Sequence, residues 1–497
     1  MTIDAKYLSD AAHYPGGHAA AVCIPRQIEE IPDIVRHART LLPIGAQSSL
    51  TGGATPMGET VLSTEKLTRV IDVGASHVTV EAGVPVAVLQ DVLRASGAWF
   101  PPVPTFTGAL AGGIVATNAA GAATFRHGAV RRWVEALTVV LADGSVLDVR
   151  RGDTRARDGR LRFDAGGRSW DVPVPTYRMP DVVKVSAGYY AAPDMDLIDL
   201  FIGSEGTLGV ITTVTFGTLT PVPTLALALV PCRSEPDALA LVGDLRRESA
   251  VAAIEHMDAR CLQIVEEDGA ARRNDVRFPP ATSLALLVQV ELPGDTTEAA
   301  AFAEIASALE STAETPLARV CRILAAHGVF DDTEMALPGN ARRAAQLIAI
   351  REAVPAGVNQ RVGAAQRDVD ARIAKTAADM IVPFDRFAEM MAIYRDGFAS
   401  RGLDFAVWGH ISDGNVHPNV LPRCYGDVEL GKDAILFFGR EVARLGGCPL
   451  AEHGVGRNAV KQALLTQLYG VRGIDEMRAV KRALDPSHKL APGVIVP

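Results

Sequence analysis

The sequence predicts an α+β protein of two or three domains, and three observations lead there. The chain has 497 residues, more than one ordinary core organises. Short β-branched runs alternate with longer stretches of helical apolar spacing. Between residues 223 and 400 the runs follow one another as strand, helix, strand, strand, helix, an order that fits an antiparallel sheet with helices on one face.

Composition narrows the class. Hydrophobic residues make up 48% and charged residues 22%, as in a globular rather than a disordered chain. A net charge of −9, with no run of lysines or arginines, argues against a nucleic-acid partner. No apolar stretch reaches the roughly 18–20 residues that span a bilayer, and Met1-Thr-Ile-Asp-Ala-Lys6 lacks a signal core. A cytoplasmic chain is expected, with contact at the inner-membrane surface left open. The six cysteines are scattered without CxxC spacing, so neither an iron–sulfur cluster nor a zinc knuckle is expected.

In chain order, Ala21-Val-Cys-Ile-Pro25 reads as a strand, and a helix follows through Ile28, Ile31, Ile34, Val35 and Leu41. The next segment, Pro43-Ile-Gly-Ala-Gln-Ser-Ser-Leu-Thr-Gly-Gly-Ala54, is rich in small residues. Its backbone N–H groups could cradle phosphate, or it could be an ordinary turn. Val70–Val73 and Val78–Glu81 alternate as paired strands, and Val86–Ser96 has one apolar helical face. Residues 101–128 carry almost only small side chains from Gly108 to Thr124. That allows close approach of a large flat ligand, or equally tight helix packing at Gly112-Gly113. Strands return on either side of the turn Ala142-Asp143-Gly144. Leu200-Phe-Ile-Gly-Ser-Glu-Gly-Thr-Leu-Gly209 leads into the β-branched strand Val210–Phe216. Later strands are expected at Leu225–Val230, Ala252–His256 and Ser283–Val290, with helices from Ser234 and Thr296.

The most informative stretch is Phe405-Ala-Val-Trp-Gly-His-Ile-Ser-Asp-Gly-Asn-Val-His-Pro-Asn-Val-Leu421. Two apolar runs flank Asp413-Gly414, which fits a two-residue hairpin turn. That turn sets Ile411 opposite Val416 and His410 opposite His417, with Asn419 on the same face. A histidine in a strand is commonly just hydrogen-bonded; two in register beside a downstream Glu452-His453-Gly454-Val455-Gly456 suggest more. Two histidines and a carboxylate form an open metal site, here His410, His417 and Glu452, leaving His453 to move protons.

Gly45 to Gly53, Gly112-Gly113 with Ala116-Thr117-Asn118, and Gly203-Ser-Glu-Gly-Thr-Leu-Gly209 together resemble the FAD-binding half of the vanillyl-alcohol-oxidase-type flavoproteins. His410 to His417, Glu452-His453-Gly454 and Leu484-Asp-Pro486 resemble the D-2-hydroxy-acid dehydrogenase branch. That branch holds D-lactate and D-2-hydroxyglutarate dehydrogenases and the glycolate oxidase flavin subunit. The resemblance runs from about residue 15 to the C-terminus. It implies an FAD-binding domain of two α+β subdomains over 1–222 and an α+β cap with an antiparallel sheet over 223–455. A C-terminal helical segment, 456–497, would return to the FAD domain.

The resemblance further implies FAD held by Pro43, Gly45, Ala46, Gln47, Ser48, Ser49, Leu50 and Gly52. It extends the contacts to Thr107, Gly108, Gly112, Gly113, Thr117, Asn118 and Gly121, and then to Glu205, Gly206, Gly209 and Ile211. Arg351 would grip the substrate carboxylate, for which a planar guanidinium suits; as a bare residue it reads as an exposed helix arginine. Lys375 would be an active-site lysine, although its spacing to Asp379 departs from the family pattern. Pro355 stands where some 2-hydroxyglutarate enzymes have threonine, and Ser412 where the family usually has glycine.

The expected reaction oxidises a small D-2-hydroxy acid, D-lactate first and D-2-hydroxyglutarate second. A divalent metal, zinc before manganese or iron, binds the hydroxyl. His453 acts as base, Asn419 orients the ligand, and flavin accepts hydride. The electron acceptor is a separate, unidentified molecule, and a homodimer is the expected assembly. Competing readings are non-redox chemistry on the same fold, as in alkyl-dihydroxyacetone-phosphate synthases, a flavin-free metal hydrolase, and a non-catalytic subunit.

Overall fold

In a computed structural model that describes residues 3–102, 106–310 and 312–496, the chain divides into two units. Val103–Thr105, within the small-residue segment read above, lie outside the described residues. No helix among the described residues is long and apolar enough to cross a membrane.

The first unit comprises residues 1–121, 128–221 and 448–497. Its small sheet is parallel, with Thr60–Ser63 between Ala21–Cys23 and Leu41–Ile44. Its larger sheet has five antiparallel strands in the order Val70–Val73, His77–Glu81, Val210–Gly217, Val134–Val140, Val146–Arg150. The expected helix through Leu41 instead stops at His37, and Ala38 turns extended. Leu41 and Leu42 are fully buried in the strand that follows. Burial in a sheet outweighs a helical spacing that one more residue could have continued.

The C-terminal helix spans Ala459–Leu484, within the expected segment, with a break at Gly470, whose φ is 68°. Beyond it the tail lies beside Leu41 of the same unit, whose N–H donates to Lys489 O at 2.8 Å. A buried cation fixes this return. Lys481 Nζ reaches Asp485 Oδ2 at 2.6 Å, Thr207 O at 2.5 Å and Leu490 O at 2.7 Å. Residues 448–455, expected in the cap, count with this unit. Ser186 N–H donates to Leu450 O at 2.9 Å, and two bonds to Glu205 described below hold the rest.

The second unit, residues 122–127 and 222–447, is built on a seven-stranded antiparallel sheet. Its order is Glu334–Ala336, Thr224–Cys232, Leu284–Leu292, Val251–Met257, Phe405–His410, Asn415–Val420, Met380–Ile381. Helices cover both faces, not the single face expected. Ala259–Glu267 and Ala341–Asp368 pack into one cluster with Leu227, Leu229, Leu287 and Trp408. Glu235–Leu245 and Pro316–Ala326 pack on the same strands with buried residues outside that cluster. All seven residues of Val251–Met257 are accordingly buried. A strand apolar on both sides gives no alternation from which to count its covering layers.

Removing Asp485 would leave the Lys481 ammonium buried without its counter-charge. Asp485→Ala is expected to destabilise the protein by about 3–5 kcal/mol, read as a lowered urea midpoint.

Candidate active site

The first unit contains a cavity of about 310 Å³, at the small end of ordinary ligand sites of roughly 300–1,000 Å³. Pro43 to Leu50, the helix Ala111–Ala116 and the turn at Glu205-Gly206 all contribute to its wall. Of the sequence-derived cofactor residues, Pro43, Gly45, Ala46, Gln47, Ser48, Ser49 and Leu50 line it. So do Gly112, Gly113, Thr117, Glu205, Gly206, Gly209 and Ile211. Gly52, Thr107, Gly108, Asn118 and Gly121 are not in the wall. Asn118, for instance, is buried with its Oδ1 accepting from Arg131 N–H at 3.0 Å, so it shapes the loop.

Two features make this cavity fit a phosphate-bearing flat ligand. Among the described residues, no protein acceptor takes the backbone N–H groups of residues 45–50. Such a run of unused donors beside a cavity is an anion cradle. A Cβ placed on Gly113 would meet nothing within 4 Å and would stand in the open space. The residues present therefore fit FAD. Gln47 keeps the cradle in shape, its Nε2 donating to Ala54 O at 3.0 Å and to Ser9 O at 3.1 Å.

Glu452 and His453 line this same cavity. Their loop is held by Glu205, whose Oε1 accepts from Val455 N–H at 2.8 Å and Oε2 from Gly456 N–H at 2.9 Å. Gly454 and Gly456 have φ of 74° and 58°, and a Cβ on Gly456 would stand 2.2 Å from Thr51 Oγ1. Only glycine lets this loop lie so close to Thr51 and Glu205. Burial raises the Glu205 carboxyl to about 7 against the two N–H bonds, which lower it. Glu452 is paired with Lys184, Nζ to Oε1 at 2.6 Å, and Lys184 is wholly buried. The other carboxylate oxygen of Glu452 lies 3.9 Å from His453 Nε2.

In the second unit the histidine hairpin differs from expectation. Residues Ile411–Asp413 form a 3-10 turn closed by Gly414 at φ 86°. His410 therefore pairs with Asn415, and His417 with Trp408. The register has slipped by two residues, an even number, so both imidazoles still share a face. Their ring centroids are 5.5 Å apart and perpendicular. The expected Ile411–Val416 pair does not form, because Val416 lies opposite Gly409.

A carboxylate stands behind each imidazole. Glu255 bonds His410 Nδ1, and Asp379 Oδ1 lies 3.4 Å from His417 Nδ1. With Nδ1 of His410 so occupied, Nε2 is the nitrogen that ring leaves for a ligand, the usual arrangement of a ligating histidine. Asn419, 1% exposed, donates from Nδ2 to His417 O at 2.9 Å. Its Oδ1 is buried without a hydrogen-bond partner among the described residues, as a ligand-facing oxygen would be. These residues fit a metal.

Arg351 is not the exposed helix arginine that its sequence context alone allows. Its Nε donates to Glu255 Oε2 at 2.8 Å and its Nη1 to Glu352 Oε1 at 3.2 Å. Pro355 sits four residues on, inside the same helix, and removes the N–H that would bond the Arg351 carbonyl. Burial would raise the Glu255 carboxyl, but His410 and Arg351 hold it well below the usual carboxylate range. Lys375 is exposed in the segment before Met380–Ile381. Ser412, wholly buried, accepts from Ile254 N–H at 3.2 Å, so the serine is built into the turn.

Sequence reasoning missed Glu255 and Lys184, and it named Asp379 without a role. Glu255 had one visible signal, a carboxylate inside the apolar run Val251-Ala-Ala-Ile254. Lys184 stands alone among valines and offers no pattern.

Residues 223–495 match the family described as FAD linked oxidases, C-terminal domain, and residues 19–150 match an FAD binding domain. Similar proteins include a D-2-hydroxyglutarate dehydrogenase of Xanthomonas citri, 28% identical over 95% of this chain and 88% of that one. A D-lactate dehydrogenase of Archaeoglobus fulgidus is 28% identical over 95% and 90%. The glycolate oxidase subunit GlcD of Bacillus subtilis is 27% identical over 95% and 88%. Among solved structures, an alkyldihydroxyacetonephosphate synthase superposes with TM-score 0.61 at 14% identity, covering 95% of this chain and 75% of that one. That likeness shows the fold, the vanillyl-alcohol-oxidase type expected from the resemblance.

Glu205 yields a pH test. It binds its proton more tightly folded than unfolded, so stability is full below about 4.5 and falls as pH rises to about 7. Glu205→Gln is expected to remove that decline, which approaches about 1.4 kcal/mol per pH unit at its steepest. Urea unfolding across pH 4–8, wild type minus variant, measures it.

Proposed function

The chain belongs to the FAD-linked oxidases, and from that premise we propose that it oxidises a D-2-hydroxy acid to the 2-oxo acid. The observation that carries this reading is that Glu452 and His453 line the same cavity as the unused N–H groups of residues 45–50. A proton acceptor is thereby built into the wall of a cofactor cradle. The matched FAD binding domain leaves the flavin-free hydrolase without support.

Bound FAD supplies the hydride acceptor, and a divalent metal supplies positive charge that favours an ionised hydroxyl. The backbone of residues 45–53 would hold the pyrophosphate, with 107–121 and 205–211 around the rest of the cofactor. His410, His417 and Glu452 are the proposed metal ligands, zinc first and manganese or iron as substitutes. Lys184 and Glu205 keep Glu452 and His453 in place. His453 takes the hydroxyl proton. Arg351 fixes the substrate carboxylate, Asn419 presents its amide oxygen to the ligand, and Lys375 is an additional cation for the acid.

D-lactate is the first substrate, in line with the name of the Archaeoglobus relative, and D-2-hydroxyglutarate the second, in line with the Xanthomonas one. We place the chain in the cytoplasm, with electrons passing to a separate acceptor because its six cysteines lack the CxxC spacing of an iron–sulfur relay.

Anaerobic mixing with D- and L-lactate, D-2-hydroxyglutarate and glycolate tests the reaction. D-lactate is expected to bleach the flavin and L-lactate to leave it oxidised; an unchanged spectrum with every D-acid sinks the reading. His453→Ala should keep flavin and metal while slowing flavin reduction roughly 10²–10⁴-fold, and near-normal reduction would remove the base assignment. Chelation should abolish turnover yet leave the flavin bound, because the proposed ligands are not the N–H groups of residues 45–50; metal content of His410→Ala, His417→Ala and Glu452→Gln reads the ligand set directly.

A further inference from the structure

We infer that Glu255 is a positioning residue that couples occupancy of the histidine pair to the carboxylate grip of Arg351. The inference rests on the reading of His410 as a metal ligand and Arg351 as the substrate's anchor. It concerns a residue that neither role contains.

Glu255 sits on Val251–Met257, directly opposite His410 on the neighbouring strand. One of its oxygens bonds His410 Nδ1 and the other accepts from Arg351 Nε at 2.8 Å. The three side chains are 8%, 3% and 12% exposed, so water does little to screen them from one another. The single negative charge of Glu255 is thus shared between two cationic or cation-forming groups from different elements, a hairpin and a long helix.

Sharing has a direct consequence. When His410 Nε2 is ligated, its Nδ1–H becomes a stronger donor and draws more of the Glu255 charge. Arg351 then has more of its own charge left for a substrate carboxylate. Linkage runs the other way too: a carboxylate engaged by Arg351 releases Glu255 toward His410 and tightens ligation there. A purely structural Glu255 would hold both neighbours in place without making either one's affinity depend on the other.

The test is zinc affinity of the FAD-loaded full chain, measured by competition with a chromophoric chelator, for wild type, E255Q, R351M and the double variant. E255Q is expected to weaken zinc roughly 10–100-fold, as loss of a carboxylate behind a ligating histidine does. R351M, which removes no ligand, is expected to tighten zinc about 5-fold or more. In the E255Q background that effect should vanish. Zinc affinity unmoved by R351M, or moved equally whichever residue occupies position 255, overturns the inference alone. Wild-type protein that takes up no zinc overturns the metal reading and the inference with it. Should E255Q fail to fold, E255D carries the same comparison, since its shorter carboxylate cannot reach both partners.

Discussion

A charge removed from water must be met by another charge or by hydrogen bonds, and Glu452, Arg351 and the hairpin histidines are placed by that requirement. Lys184, without solvent contact, is paired with Glu452, and the pair fixes where that carboxylate points. Glu205 is half-buried and spends both oxygens on the N–H groups of Val455 and Gly456. Glu255 answers His410 and Arg351 together, and Asp379 faces His417. Each of these carboxylates thus holds a basic side chain or a loop end in place. The arrangement costs stability and gains fixed geometry, as preorganised sites commonly do.

The cofactor cavity is made by a different means. Its wall is mostly backbone and small side chains, so its shape depends on what is absent. A run of N–H groups without protein acceptors is costly in a closed interior and acceptable beside a ligand space. The glycines at 454 and 456 serve the same end, letting the His453 loop lie against Thr51 and Glu205 where a methyl group would not fit. Conformational freedom of the backbone and the fixed charges of its neighbours therefore act on one loop.

Much of the fold was legible from local pattern. The strands bordering the Asp143 turn, the pair at residues 70–81 and the strand from Val210 all form where alternation places them. Leu41 was misread because helical spacing continued one residue too far and only pairing with Thr60–Ser63 corrects it. The hairpin shows the limit of register reasoning. Asp413-Gly414 marked a turn correctly, yet a 3-10 turn lengthened the loop, and the pairing moved by two. Side-chain direction repeats every two residues, so the functional face survived the error. A slip of one would have set the two histidines on opposite faces of the sheet.

The sequence by itself determined which residue types meet on one strand face, where backbone can approach a ligand, and to which family the chain belongs. These are local properties, carried by spacing of two or by runs of small residues. Only the tertiary structure decided which carboxylate backs which imidazole, that Arg351 is tied to Glu255, and that Lys184 neutralises Glu452. Those pairs lie 155, 96 and 268 positions apart in the chain. Strand order and helix packing bring them together, and no short-range pattern records either.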